Sequence, residues 1–409
     1  MNNTDVNTTK LKGNIWKLYL YETLYSLMFY TPIIVLFYQK NGLSLAQIMI
    51  IQSFSSIVWI LMEIPSGYFA DLVGKKISLM LNGIFAFLTM LTLGLGSNFY
   101  YFLLAALFWA LAGVFISGAD SALMYNTLKE LKKENTYKKV WGNITFYSFI
   151  GISIASVLGG VLGGIDLRYP FLIALPFYIF LIPLSLSLYE PKQHKETSTE
   201  NHAFDLLKSI KKAIFQNKKI RQLLIYSAVI AGAIDVAYYL YQPYFELSGL
   251  DVVYFGLVFA AFNFIEAFSS KYSYFIEKRL GQKFSLILSF ILVSLCYVLM
   301  GNIIFIFGFV FAFLLQFVSG FSSVAISDYV NKETDSKIRA TVLSVKSVFN
   351  SIFYALIAPL IGWLVDIYTL PQVLTIIGIV ILLFGIVISI LFYGNIKTIR
   401  SFGSKNSPL

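Results

Sequence analysis

The sequence predicts an all-α integral membrane protein with about twelve transmembrane helices in two pseudo-symmetric six-helix bundles. Three observations predict it: scarce charge, recurring long apolar runs, and one-sided placement of lysine and arginine. Of 409 residues, 58% are hydrophobic and 13% charged, whereas a soluble domain carries about 25% charged residues. That much apolar surface needs lipid as its solvent. A run of about 18 apolar residues or more spans the hydrocarbon core. Such runs lie near 14–38, 44–70, 77–97, 99–125, 141–164, 168–189, 219–246, 251–276, 284–301, 303–330, 339–365 and 371–394.

Most connections are short, so consecutive spans should run antiparallel. The longer connector, 190–218, separates an N-terminal half, 1–189, from a C-terminal half, 219–409. Within it Ala203, Leu206, Leu207, Ile210, Ala213 and Ile214 share one helical face, opposite Asp205, Lys208, Lys211 and Lys212. That pattern suits a helix lying on the membrane surface, tethering the halves.

With the N-terminus inside, 29 of the 31 Lys and Arg fall in or beside cytoplasmic segments, leaving Lys40 and Arg168 outside. Cytoplasmic loops concentrate Lys and Arg in this way. Both termini are therefore expected in the cytoplasm and the chain in the cell membrane, its N-terminal tail uncleaved. The net charge of +10 follows from this topology and the anionic inner leaflet; no nucleic-acid partner is needed. The single cysteine, Cys296, lies in a span, and His194 and His202 fall in the connector, so neither a disulfide nor a metal site is expected. No G-x-x-x-x-G-K-[ST], HExxH or GxSxG occurs, which argues against an ATP-driven pump and against an enzyme.

Two segments resemble each other at an offset of 200: Lys139 aligns with Arg339, Phe149 with Phe349, Ala155 with Ala355 and Asp166 with Asp366. "FADLVGKK" and "FIEKRLGQK" form a second pair, each placing acid, glycine and lysine after a span. Duplicated halves are a common plan for secondary transporters, with substrate held near the midplane.

The stretch "IPSGYFADLVGKK", between the second and third spans, carries Gly67-x-x-x-Asp71-x-x-Gly74-Lys75-Lys76. It resembles the loop signature of the major facilitator superfamily, and the helix count, topology and connector extend the resemblance over the whole chain. The resemblance implies alternating access, with Gly67 and Gly74 packing tightly and Asp71 docking on the start of the eleventh span, where Arg339 is a further partner. A carboxylate there would meet free N–H groups and the helix dipole. Two features depart from the family's drug exporters: the fourth span has no arginine, and the fifth has glycines without the usual proline. Gly159/Gly163 and Gly160/Gly164 provide two GxxxG spacings for close helix approach.

Carboxylates inside spans are costly and mark functional positions. Asp235, Glu266, Glu22 and Asp120 are the candidates for proton or substrate binding, Asp235 and Glu266 being nearest mid-depth. Glu63, Asp120 and Asp328 lie towards the cytoplasmic ends, where a gating role competes. No Lys or Arg sits at mid-depth, Lys271 and Lys346 being nearer the cytoplasm. Such a cavity suits protons, organic cations or neutral solutes. Burial favours the protonated form of a carboxyl, so proton and cation would compete, which gives antiport. The aromatics of the first span, Tyr19, Tyr21, Tyr25, Phe29 and Tyr30, and of Tyr238–Phe245 are read chiefly as interfacial belts and helix packing.

The expected function is proton-coupled export of organic cations or neutral lipophilic compounds, as in multidrug efflux. Uptake of a neutral or cationic nutrient is the alternative, and a non-transporting receptor a further one. Expected partners are the substrate, protons and membrane lipids. The chain should act as a monomer, with the proton gradient as driving force and no cofactor.

Overall fold

A computed structural model describes residues 3–191, 217–334 and 338–393, and every regular element among them is a helix. In order these are α1 (Asn3–Tyr25), α2 (Ile34–Lys40), α3 (Leu45–Val73), α4 (Lys75–Leu95), α5 (Phe99–Ile116), α6 (Ala119–Glu130), α7 (Tyr137–Ile165) and α8 (Tyr169–Leu186). After the connector come α9 (Lys218–Leu247), α10 (Val252–Asn302), α11 (Phe309–Lys332), α12 (Arg339–Ile367) and α13 (Leu370–Tyr393). Ten helical segments among the described residues are long and apolar enough to cross a membrane. The expected surface helix over 203–214, with His194 and His202, lies outside the described residues.

Local sequence sets several helix starts. Ser44 and Gln47 form a reciprocal capping box at the head of α3. Asn98 accepts from Tyr100 N and Tyr101 N at the head of α5, and Asn217 from Lys219 N and Ile220 N at the head of α9. Each side-chain oxygen satisfies N–H groups that the first helical turn leaves free.

Four predicted spans depart from one continuous helix each. The run 14–38 is interrupted between Tyr25 and Ile34. Pro32 lacks an N–H and disfavours helical backbone at Thr31, although the apolar pattern runs on uninterrupted. The run 99–125 divides at Gly118, which takes φ +76°, a left-handed conformation open to glycine. The runs 251–276 and 284–301 lie in one 51-residue helical stretch, α10, broken at Gly281, whose φ is 72° and ψ 161°.

The chain forms two compact units. The first comprises Met1–Glu196, Leu250–Asn263 and Ala358–Trp363; the second comprises Thr197–Gly249, Phe264–Ile357 and Leu364–Leu409. In lipid no hydrophobic force draws helices together, so close packing and interhelical hydrogen bonds must do so. In the first unit, the paired glycines of α7 serve two neighbours. Gly159 and Gly163 back onto the Phe29 backbone and the Ile33 side chain, while Gly160 and Gly164 back onto Val253 and Gly256. A Cβ at Gly159 or Gly160 would collide with backbone. Gly83 likewise lets α4 approach Leu181 of α8. Asn82 Nδ2 donates to Ala112 O at 2.8 Å, tying α4 to α5. Arg168 Nη1 donates to Gly94 O at 2.7 Å, giving one of the two cations outside the cytoplasmic count a structural partner.

In the second unit α9 is the most enclosed helix. Tyr241, Tyr244 and Phe245 are fully buried, so the ring-rich end of this helix is packed inside protein and is no lipid-facing belt. Cys296 is free and fully buried. Gly320 brings α11 onto the Glu266 carbonyl of α10, and Gly232 brings α9 onto the Phe353 ring of α12.

Candidate functional site: two carboxyl clusters and a capped motif loop

The loop at Gly67–Lys76 is shorter than its sequence suggests. Helix α3 runs to Val73 and α4 begins at Lys75, so Gly74 alone makes the turn, at φ 114° and ψ 148°. Only glycine visits that backbone region freely. The new helix start is capped from a distance of more than a hundred residues. Glu190 Oε1 accepts from Lys75 N at 3.0 Å and Oε2 from Lys76 N at 2.8 Å. A carboxylate here meets both the free N–H groups and the positive end of the α4 dipole. Glu190 is held in turn by its neighbours. Asn14 Nδ2 donates to Tyr189 O at 2.7 Å and Asn14 Oδ1 accepts from Tyr189 N at 2.9 Å.

Asp71 is exposed and pairs with Lys75 Nζ at 3.1 Å, one turn on. Such a pair is worth about 0.3–0.5 kcal/mol, far less than the Glu190 cap. At Gly67 a Cβ would meet nothing within 4 Å, so the close approach in this motif is at Gly74. Lys76 is half-buried and contributes its backbone N–H to the cap. Arg339 is exposed at the first position of α12, in the second unit. Glu63 is exposed on α3. Asp328 is exposed on α11, where its Oδ2 accepts from Lys332 Nζ at 2.6 Å.

The first carboxyl cluster belongs to the first unit. Glu22 of α1 and Asp120 of α6 lie within electrostatic reach of each other. Two neighbouring carboxyl groups resist ionising together, so a pair of this kind favours holding a proton. Glu22 Oε1 is buried without a partner, and Asp120 Oδ1 accepts from Ser121 N at 2.6 Å. Gly118 starts α6 afresh two residues before Asp120, so the acid sits in a first helical turn where negative charge is favoured. Beside Glu22 in α1, the Tyr21 hydroxyl lies against Leu79 O at 2.6 Å and Asn82 Oδ1 at 2.5 Å. Tyr25 stacks on Trp109 with centroids 6.0 Å apart and meets Tyr178 edge-on.

The second cluster belongs to the second unit and draws on four helices. Asp235 is exposed halfway along α9. Glu266 of α10 lies within electrostatic reach of it and accepts from Ser319 Oγ of α11 at 2.9 Å. Tyr354 of α12 is 6% exposed, is within electrostatic reach of Asp235 and Tyr239, and has an unpartnered hydroxyl. One turn earlier on α12, the buried Oδ1 of Asn350 is also unpartnered. A further turn back, Lys346 Nζ donates to Ser327 Oγ at 2.7 Å.

Structure thus gathers the four predicted span acids into two pairs, one per unit. Glu190, Asn82, Ser319, Asn350 and Tyr354 are not singled out by the sequence, because within apolar runs it is the charged residues that stand out. An amide inside an apolar run is also costly in lipid, and Asn82 and Asn350 could have been picked out on that ground. Glu190, at the end of a span, looked like the start of a solvated connector. Among the described residues no group of three or more His, Cys, Asp or Glu could hold a metal ion.

With this geometry in hand, the family follows from the chain itself. The family model of the Major Facilitator Superfamily matches residues 22–345 and 249–407. The chain belongs to the Major Facilitator Superfamily. This is a family of transporters, not an enzyme class, and its members are multi-pass membrane proteins. An uncharacterized MFS-type transporter of Bacillus subtilis (strain 168), YxaM, is 26% identical over 239 residues. That match takes in 58% of this chain and 59% of YxaM. Among solved structures, the nucleoside transporter NupG superposes with a TM-score of 0.76 at 17% identity, covering 95% of this chain and 99% of NupG. A bacterial homolog of the human lysosomal transporter Spinster gives 0.70 at 14% identity, over 93% and 96% of the two chains. A POT family transporter in complex with a thioalcohol-conjugated peptide gives 0.67 at 11%, over 94% and 96%. At these identities the superpositions establish the superfamily fold.

Proposed function

We propose that this superfamily member is a proton-coupled secondary transporter working by alternating access, whose cargo is a neutral or cationic small molecule. The nearness of the Glu22 and Asp120 carboxyl groups carries the reading: two half-buried acids within electrostatic reach of each other are suited to holding one proton, releasing it on one side of a membrane and recovering it on the other. The proton gradient is then the driving force, with no cofactor.

The membrane plan supports this. At 1.5 Å per residue a 51-residue helix would extend about 76 Å, more than twice the hydrocarbon thickness of about 30 Å. We therefore read α10 as two crossings joined at Gly281. With α1 and α2 as one interrupted crossing and α5 and α6 as another, the chain crosses twelve times, the count expected from the apolar runs. Both termini then lie on the lysine-rich, cytoplasmic face of the cell membrane, and the transporter acts as a monomer.

Export of organic cations or neutral lipophilic compounds uses these acids directly, since among the described residues no lysine or arginine acts on Asp235 or Glu22 to favour an anion. Uptake of a neutral or cationic nutrient is the second reading. The hydroxyl and amide groups of Ser319, Asn350 and Tyr354 favour it, and the nucleoside and peptide carriers sharing the fold are named for polar cargo.

The test is ethidium movement in proteoliposomes under an imposed proton gradient, with wild type beside Glu22→Gln and Asp235→Asn. Gradient-driven counterflow that is lost in Glu22→Gln, with downhill exchange retained, supports antiport coupled through the pair. Full coupling in Glu22→Gln would sink the assignment of the proton to Glu22–Asp120. Accumulation with the opposite gradient dependence would turn the reading to uptake.

A further inference from the structure

We propose that the second unit holds a recognition site for protonated amines bearing N–H donors, built from Asp235, Glu266, Ser319, Asn350 and Tyr354. It rests on the reading that the cargo is neutral or cationic, and it specifies which cations are taken.

Four helices converge on the site. Gly232 seats α9 against Phe353 of α12, which fixes Asp235, three residues on, near the turn that carries Tyr354. Gly320 seats α11 against the Glu266 carbonyl, which fixes Ser319 beside the Glu266 carboxylate. Asn350 and Tyr354 are four residues apart on α12, hence on one face.

Hydrogen-bonding capacity here is lopsided. Glu266 accepts a single bond, from Ser319, and the exposed Asp235 lies within electrostatic reach of it. Asn350 Oδ1 and the Tyr354 hydroxyl are buried and unpartnered. A buried polar group without a partner is rare and expensive, and Tyr354, at 6% exposure, has no recourse to solvent. Ionised carboxylates only accept, and an amide oxygen only accepts. The Tyr354 hydroxyl can accept as well as donate, so a ligand that brings donors as well as positive charge satisfies every one of these oxygens.

A primary ammonium has three N–H donors; a quaternary ammonium has none and offers only charge to a ring face. Tyr239, half-buried and with its ring centroid 6.5 Å from that of Tyr354, gives a flat side chain a ring to rest on. The site consequently selects an amine with an aromatic or hydroxylated body over a quaternary cation of equal charge and size.

The test uses purified full-length protein in detergent, without any gradient. Binding of tyramine and of its N,N,N-trimethyl derivative is measured by isothermal titration calorimetry. Tyramine should bind at least about tenfold more tightly, the difference expected for charge-assisted hydrogen bonds. Tyr354→Phe, which removes one oxygen, should shrink that ratio, and Asp235→Asn should weaken both ligands. Equal affinity for the two compounds, a ratio untouched by Tyr354→Phe, or no binding of either to folded protein would overturn the proposal. Because the measurement is made at equilibrium, a failure of proton coupling in the Glu22→Gln transport assay leaves this result standing.

Discussion

Replacing Glu190 by alanine tests the reasoning about the motif loop most directly. The side chain accepts from two backbone N–H groups at 3.0 and 2.8 Å in the first turn of α4. Losing a helix cap costs roughly 0.5–2 kcal/mol, and losing a negative charge at a helix N-terminus costs roughly 0.3–1 kcal/mol more. Together these give about 1–3 kcal/mol. For a unit of this size each kcal/mol shifts the midpoint by roughly 2–4 °C, so Glu190→Ala should lower the apparent Tm by about 2–12 °C. Glu190→Gln keeps one acceptor and loses the charge, and should fall between alanine and wild type. Asp71→Asn is the control. Its side chain is 76% exposed and pairs only with Lys75, so a loss of at most about 0.5 kcal/mol is expected. Thermal unfolding in detergent, followed by fluorescence-detected size exclusion, reads all three. A Glu190→Ala shift no larger than that of Asp71→Asn would refute the cap as the element that fixes the loop.

Two further outcomes concern glycines. Gly74→Ala places a Cβ where φ is 114° and brings it to 3.3 Å from the Glu190 carboxyl; strain of about 1–3 kcal/mol should lower the apparent Tm more than Gly67→Ala, whose Cβ has open space. Gly160→Val should reduce the yield of monodisperse protein, because its Cβ would strike the backbone at Gly256, while Gly142→Val, with no neighbour within 4 Å, should leave the elution profile unchanged.

Hydropathy and charge made the class of fold legible, because a lipid-facing helix must be apolar along its whole length and its flanks must carry the positive charge. The interruptions were harder to read. Pro32 and Gly118 were visible as residues, yet apolar sequence continues on both sides of each, and hydropathy does not register backbone geometry. The four acids were legible singly, since each stands out in an apolar run. Their pairing was not. Glu22 and Asp120 lie far apart along the chain, and which acids meet is decided by helix rotation. That rotation is set by small contacts such as Gly320 on Glu266 and Gly232 on Phe353, where a missing side chain carries the information. The Glu190 cap was illegible for a related reason: a helix start can be satisfied by any carboxylate the fold brings to it.

The only thiol in the chain, that of Cys296, is sealed within the second unit. Native protein should therefore be almost inert towards maleimides, and a cysteine introduced anywhere on the surface becomes the sole labelled position without a prior cysteine-free background. Spin labels or fluorophores placed in pairs, for example at exposed Tyr68 on α3 and exposed Tyr274 on α10, can then report distances during turnover in a molecule whose interior has been left intact.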